Sequence, residues 1–325
     1  MKSATLYGYW LRRLLQAIPL LFGVIVVNFT IIHLAPGDPT YALVGDFPAP
    51  PDYIARIRAD FGLDKPAWEQ LLLYLGNVIR GNLGYSFANR QPVLDLVLGR
   101  LSATVMLTGT AMLLAAGIGL TLGVLSSLRP YSWLDNLSTG TSLVGYSMPV
   151  FWLGQVLILF FALKLGWFPT GGLHSLRTAP TGASRAGDTL RHLVLPVIAL
   201  LGRYLAVNTR MTRASMLEVL SQDYIRTARA KGLHTRTVLL RHALRNALLP
   251  IITTIGFNLG FLLAGSALVE TVFSWPGIGR LLFDSIAKRD YPVILGIFLI
   301  VSVMVILANL ITDAIVAALD PRIRY

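Results

Sequence analysis

The sequence predicts an all-α integral membrane protein with six transmembrane helices, and three observations carry that expectation. Of 325 residues, 54% are hydrophobic and only 14% charged, against about 25% charged in an ordinary soluble domain. The apolar residues gather in uncharged runs long enough to cross a bilayer, which takes about 20 residues. The formal charge of +12 sits beside those runs, where it reads as a topology signal rather than a nucleic-acid surface.

Taken in order, the expected spans are 14–37, 101–128, 136–163, 192–209, 247–269 and 291–312. Lys2, Arg12 and Arg13 precede the first. A basic pair before an apolar run also opens a signal peptide, but this run is too long and no small-x-small cleavage site follows. The fourth span is the weakest, because Arg203 interrupts it; it is read as carrying one buried or pore-facing cation. Between the fourth and fifth spans stand Arg210, Arg213, Arg226, Arg229, Lys231, Arg236, Arg241 and Arg245, opposed only by Glu218 and Asp223. Arg322 and Arg324 follow the last span. These regions fall on one side, which the positive-inside rule makes cytoplasmic, with both termini there. The loop 38–100 lies opposite, its acids and bases nearly balanced. It is expected to hold short helices at 51–61 and 66–79 and to form a small external cap. A second outer loop, 166–191, is expected to be irregular. A third, 271–290, holds SWPGIG and a short amphipathic helix near 280–288.

Much chemistry is missing. There is no cysteine, hence no disulfide, no thiolate catalysis and no Cys-based metal site. No G-x-x-x-x-G-K-[ST] phosphate loop occurs, so the chain should bind no ATP and need no cofactor of its own. His33, His174, His192, His234 and His242 are scattered without a metal-ligand spacing. No carboxylate stands in the middle of a span, which argues against a proton-coupled secondary transporter, and no clustered catalytic side chains suggest a membrane enzyme. Intramembrane polar groups are functional candidates by default. Arg203, Asn258 and Gln155 are the candidates for lining a pathway. Arg203 would meet an anionic group there, or else partner a carboxylate or helix-end carbonyls; Asn258 would face the pathway or act as glue between helices. Asp313 is expected to pair with Arg210 or Arg213.

The most informative segment is 223–250, DYIRTARAKGLHTRTVLLRHALRNALLP: basic, polar and helix-forming between apolar runs. Asp223 is expected to cap a helix N-terminus and Gly232 to end it in a left-handed turn. Ala228 and Ala230 keep the surface low enough for another protein to approach. An ordinary solvated loop is the plainer alternative.

The motifs then add up to a family. LAPGDP at 34–39, GLDKP at 62–66, GNLGYSF at 81–87, SMPVFWLG at 147–154, LGWFPTGG at 165–172, RMTRASMLEVLSQDYIRTARAKGL at 210–233, ETVFSWPGIGRLL at 270–282 and LDPRIRY at 319–325 occur in one order. Together they resemble a permease subunit of the dipeptide/oligopeptide/nickel class of ABC importers, over nearly the whole chain. The resemblance implies an N-terminal helix and outer loop (1–100) joined to a five-helix core (101–325) containing a coupling loop (214–247). It implies a homologous second permease, two ATPase subunits that bind ATP and magnesium, and an extracytoplasmic substrate-binding protein, in a bacterial inner membrane. The coupling residues it implies are Asp223, Tyr224, Arg226, Thr227, Ala228, Arg229, Ala230, Lys231, Gly232 and Leu233. In the family this loop carries an E-A-A motif followed by glycine. Here Arg226-Thr227-Ala228 stands in its place, with Gly232 as the glycine and Leu249-Pro250 as the closing L-P. The glutamate is absent, leaving Arg226, Arg229 and Lys231 as candidates for the polar contact. Peptides are the first substrate expectation; nickel chelates, glutathione and opines are the alternatives.

Overall fold

The computed structural model describes residues 2–34, 50, 52, 55, 64–86, 88–175 and 182–319. Most of the expected helix at 51–61, LAPGDP beyond Leu34, Gly62 and Leu63 of GLDKP, and LDPRIRY beyond Leu319 lie outside the described residues. Among the described residues, five helices are long and apolar enough to cross a membrane, and a sixth span results if one sharply bent pair is counted as one. The all-α membrane class holds.

The helices are α1 (Lys2–Leu34), α2 (Ala67–Ile79), α3 (Val93–Leu128), α4 (Trp133–Ser147), α5 (Val150–Leu157), α6 (Gly182–Leu220), α7 (Asp223–Ala230), α8 (Arg245–Val272), α9 (Ile278–Ala287) and α10 (Tyr291–Leu319). A two-residue ladder pairs Tyr85–Ser86 with Gln91–Pro92. Two wider-turned segments, Ile158–Lys164 and Val238–Leu244, extend α5 and lead into α8.

Two of the expected spans differ from the structure. The run 136–163 is not straight: α4 and the helix Val150–Lys164 meet at 101°. Pro149 has no N–H to continue the ladder and pushes the residue before it out of the helical region. Met148 accordingly sits at φ −75, ψ 130. The fourth span is longer than its uncharged core. α6 runs for 39 residues through Pro196, so residues 182–191 of the outer loop expected to be irregular are its first turns. Here local hydrogen bonding overrides low hydropathy: Ser175 donates through its N–H and Oγ to Asp188, at 2.7 and 2.5 Å, and Thr189 Oγ1 donates to the carbonyl of Arg185.

The chain divides into two compact units, Met1–Thr104 with Pro276–Ile306, and Val105–Trp275 with Leu307–Arg324. The first is built on Leu83, Val93, Leu96, Val97, Ile278, Leu281, Val293 and Ile297, with Phe29, Ile32, Ile294 and Leu295 in a second cluster. Gly296 lets α10 lie against Val93, where a Cβ would meet Val93 Cγ1 at 2.5 Å.

The second unit is held by close backbone crossings, as expected where helices associate in lipid. On α3, Gly119 and Gly123 form a G-x-x-x-G pair against Asn208, Thr209 and Thr212 of α6; a Cβ on Gly119 would stand 2.8 Å from that of Asn208. Gly145 of α4 crosses Gly202 of α6, its would-be Cβ 3.0 Å from the carbonyl oxygen. Gly256 of α8 lies against Thr312 of α10.

Candidate coupling helix and pathway

α7 is eight residues long, and each end has an identifiable cause. It begins one residue earlier in register than the sequence suggested: Gln222 is the N-cap, with no side-chain bond, and Asp223 is the first helical residue. Asp223 therefore does not cap. It faces the positive end of the helix dipole, where a carboxylate is still favourable. Its exposed contact with Arg226, at 3.5 Å, adds little. The C-terminus follows the expectation. Gly232 has φ +77, its N–H donates to Arg229 O at 3.0 Å, and the Leu233 N–H donates to Ala228 O at 3.4 Å. This is the paired closure that a left-handed residue after the cap makes possible.

Burial decides which face does what. Ile225 and Ala228, three apart on one face, are buried with Met216, Val238, Ala243, Ala247 and Ile251. Ala228 thus serves its own chain's core rather than an incoming protein, a correction to the expectation. Ala230 is exposed, as are Tyr224, Arg226, Thr227, Arg229, Lys231, Gly232 and Leu233. The Tyr224 hydroxyl accepts from Asn246 Nδ2 at 2.9 Å, tying α7 to the first turn of α8. On the other side only Ser221 and Gln222 separate α7 from α6. A short cationic helix is thereby fixed between two long ones.

The pathway candidates are not brought together by direct bonds among the described residues. Arg203 is exposed on α6, its guanidinium 5.5 Å from the ring centroid of Tyr146. It is not buried in this chain, against half of the expectation. Gln155 is exposed on α5, and Asn258 is half-buried on α8 with its Nδ2 unbonded. The sequence reading missed a bidentate ion pair with a buried carboxylate. Arg213 donates to Asp135 through Nε at 2.5 Å and its terminal nitrogen at 2.7 Å. The Tyr131 N–H donates to the same carboxylate at 2.8 Å, and Asp135 is buried. Arg213 is thus paired with Asp135 of α4. The available signal was Ser132-x-x-Asp135, a capping-box pattern: Ser132 is the N-cap and accepts from the Asp135 N–H.

The family model for the binding-protein-dependent transport system inner membrane component matches residues 119–325, and the model for its N-terminal part matches 6–108. The chain belongs to this family of inner membrane components. It is 43% identical over 332 residues to the dipeptide transport system permease protein DppB of Escherichia coli (strain K12), covering 97% of this chain and 98% of that one. It is 43% identical to the oligopeptide transport system permease protein AppB of Bacillus subtilis (strain 168), covering 98% and 99%. To the glutathione transport system permease protein GsiC of Escherichia coli O6:H1 it is 42% identical, covering 98% and 99%. Among solved structures, an inward-facing MetNI methionine ABC transporter aligns with a TM-score of 0.53 at 20% identity, over 69% of this chain and 96% of that one; this shows the fold. In this inner membrane component, α7 and the pathway candidates all lie within the main family match.

Proposed function

We propose that this permease is one pore-forming half of an ATP-driven importer for di- and oligopeptides, delivered by an extracytoplasmic binding protein. One observation carries the mechanism: α7 is anchored inward through Ile225 and Ala228, presents Arg226, Arg229, Ala230 and Lys231 outward, and is joined to α6 and α8. A helix so held moves as a rigid lever. Its exposed cations suit an acidic groove on an ATPase subunit. ATP and magnesium bind there and not on this chain. Closure of two such subunits displaces α7, and α6 and α8 follow, because the states differ in how well the ATPases bind them. A homologous permease completes the pore. The clustered positive charge supports a cytoplasmic location for α7 and both termini. Arg203, exposed beside Tyr146, offers a cation to the carboxylate end of a passing peptide, with Gln155 and Asn258 as neutral polar groups of the same pathway.

Peptide is favoured because the dipeptide and oligopeptide permeases are full-length relatives at 43% identity. Glutathione is the second reading, supported by the 42% relative. The test is uptake of labelled dipeptide and labelled glutathione into proteoliposomes holding the whole complex. Dipeptide uptake that needs both ATP and binding protein is expected. Uptake by this chain alone would refute the importer reading, and coupled uptake of glutathione without dipeptide would replace the substrate.

A further inference from the structure

α2 carries more apolar surface than its own packing uses. Leu71 and Tyr74 pack against a cluster formed by Phe29 and Ile32 of α1 and Ile294 and Leu295 of α10. Val78 packs on the cluster around Leu83 and Val93. These partners are the last turns of α1, the first residue of α3 and the first turn of α10, so α2 sits at one end of three membrane-crossing helices. Its position is fixed further by Gln70, whose amide oxygen is 3.1 Å from His33 Nε2 and whose Nε2 donates to Lys65 O at 2.8 Å.

A second stripe is left outside. Trp68, Leu72 and Ile79 are 63%, 60% and 86% exposed. At i, i+4 and i+11 they fall within about 40° of one another around an α-helix. On α1, Val27, Ile31 and Leu34 are likewise exposed, at i, i+4 and i+7. That face belongs to a helix long and apolar enough to cross a membrane. Asn77, on another side of α2, is exposed and polar. An amphipathic helix at the depth where spans end, with a tryptophan on its apolar edge, suits the headgroup boundary.

We propose that α2 is an interfacial helix, lying in the membrane surface with Trp68, Leu72 and Ile79 inserted among lipid at the headgroup–acyl boundary. It would pin the segment between α1 and α3 to the bilayer, giving whatever docks on that side a fixed height.

The absence of cysteine makes the test clean. Trp68→Cys, Leu72→Cys, Ile79→Cys and Asn77→Cys each receive a nitroxide in the complete transporter, with partner subunits free of reactive cysteine, in phosphatidylcholine/phosphatidylglycerol liposomes. Collision with oxygen and with a water-soluble nickel chelate is then measured. The oxygen-to-nickel ratio at 68, 72 and 79 should exceed that at 77 several-fold. Equal ratios would put the stripe in water and overturn the proposal. So would closure to both reagents, or nickel protection only after the binding protein is added, because each means a protein covers the stripe. If a cysteine variant fails to assemble, quenching of intrinsic fluorescence by brominated lipid decides: a component lost in Trp68→Phe supports lipid contact, and none overturns it.

Discussion

Asp135 and Arg213 show what a single sequence conceals. They stand 78 positions apart, and no local pattern names a partner at that distance; Asp313, 100 positions from Arg213, was the sequence-based expectation. The pair is bidentate, and only 3% of the Asp135 side chain is exposed. Removing one member leaves a charge without its counter-ion, which costs about 3 kcal/mol or more when buried. Arg213→Ala, which leaves the buried Asp135 carboxylate unpaired, should therefore lower the thermal midpoint of the detergent-solubilised complex by several degrees. The double variant Asp135→Asn/Arg213→Gln should recover at least half of that loss. Asp290 makes a pH-dependent case. It is buried, accepts from Ser86 Oγ at 2.6 Å, and burial pushes its carboxyl above the usual carboxylate range. The folded chain thus holds this proton more tightly than the unfolded chain. The associated stability is present below the ordinary carboxylate pKa and lost as pH rises through the raised one. Asp290→Asn, neutral throughout, should gain in midpoint relative to the native protein between acid and neutral pH. A difference that stays flat across that range would contradict it.

At the scale of elements, the sequence was legible wherever a local rule acts alone. Run length located the spans, and Gly232 marked the end of α7 because a left-handed closure needs a residue without Cβ. It was less legible where two local rules compete. Asp223 suits both the cap and the first turn, and the structure uses the second. The bend at Met148–Pro149 was hidden because both arms are apolar and read as one run, although the proline was in view. Ala228 looked like a docking surface by size, while its three-residue spacing from Ile225 placed it in the core. The G-x-x-x-G pair of α3 yields a direct comparison. Gly123→Val would drive side-chain atoms into Thr212, whereas Gly117 has nothing within 4 Å of its would-be Cβ. Overpacking of this kind costs about 1–3 kcal/mol, so Gly123→Val should destabilise the complex clearly more than Gly117→Val in parallel thermal melts.

For the whole molecule, the family relationship and the geometry of α7 bear on one idea: a transport subunit whose energy arrives from outside through an eight-residue helix. Arg229 is exposed on that helix, so its replacement should leave insertion and the core intact while inverting the charge offered to the ATPase. Gly232 holds the turn that ends the helix, and a proline there cannot adopt its φ of +77. The most direct measurement is peptide uptake and ATP hydrolysis, followed together in proteoliposomes of the whole complex, for the native chain, Arg229→Glu and Gly232→Pro. Both variants should insert at native levels and lose coupling, with uptake falling at least tenfold relative to ATP hydrolysed. Native uptake per ATP in both would contradict the role assigned to α7.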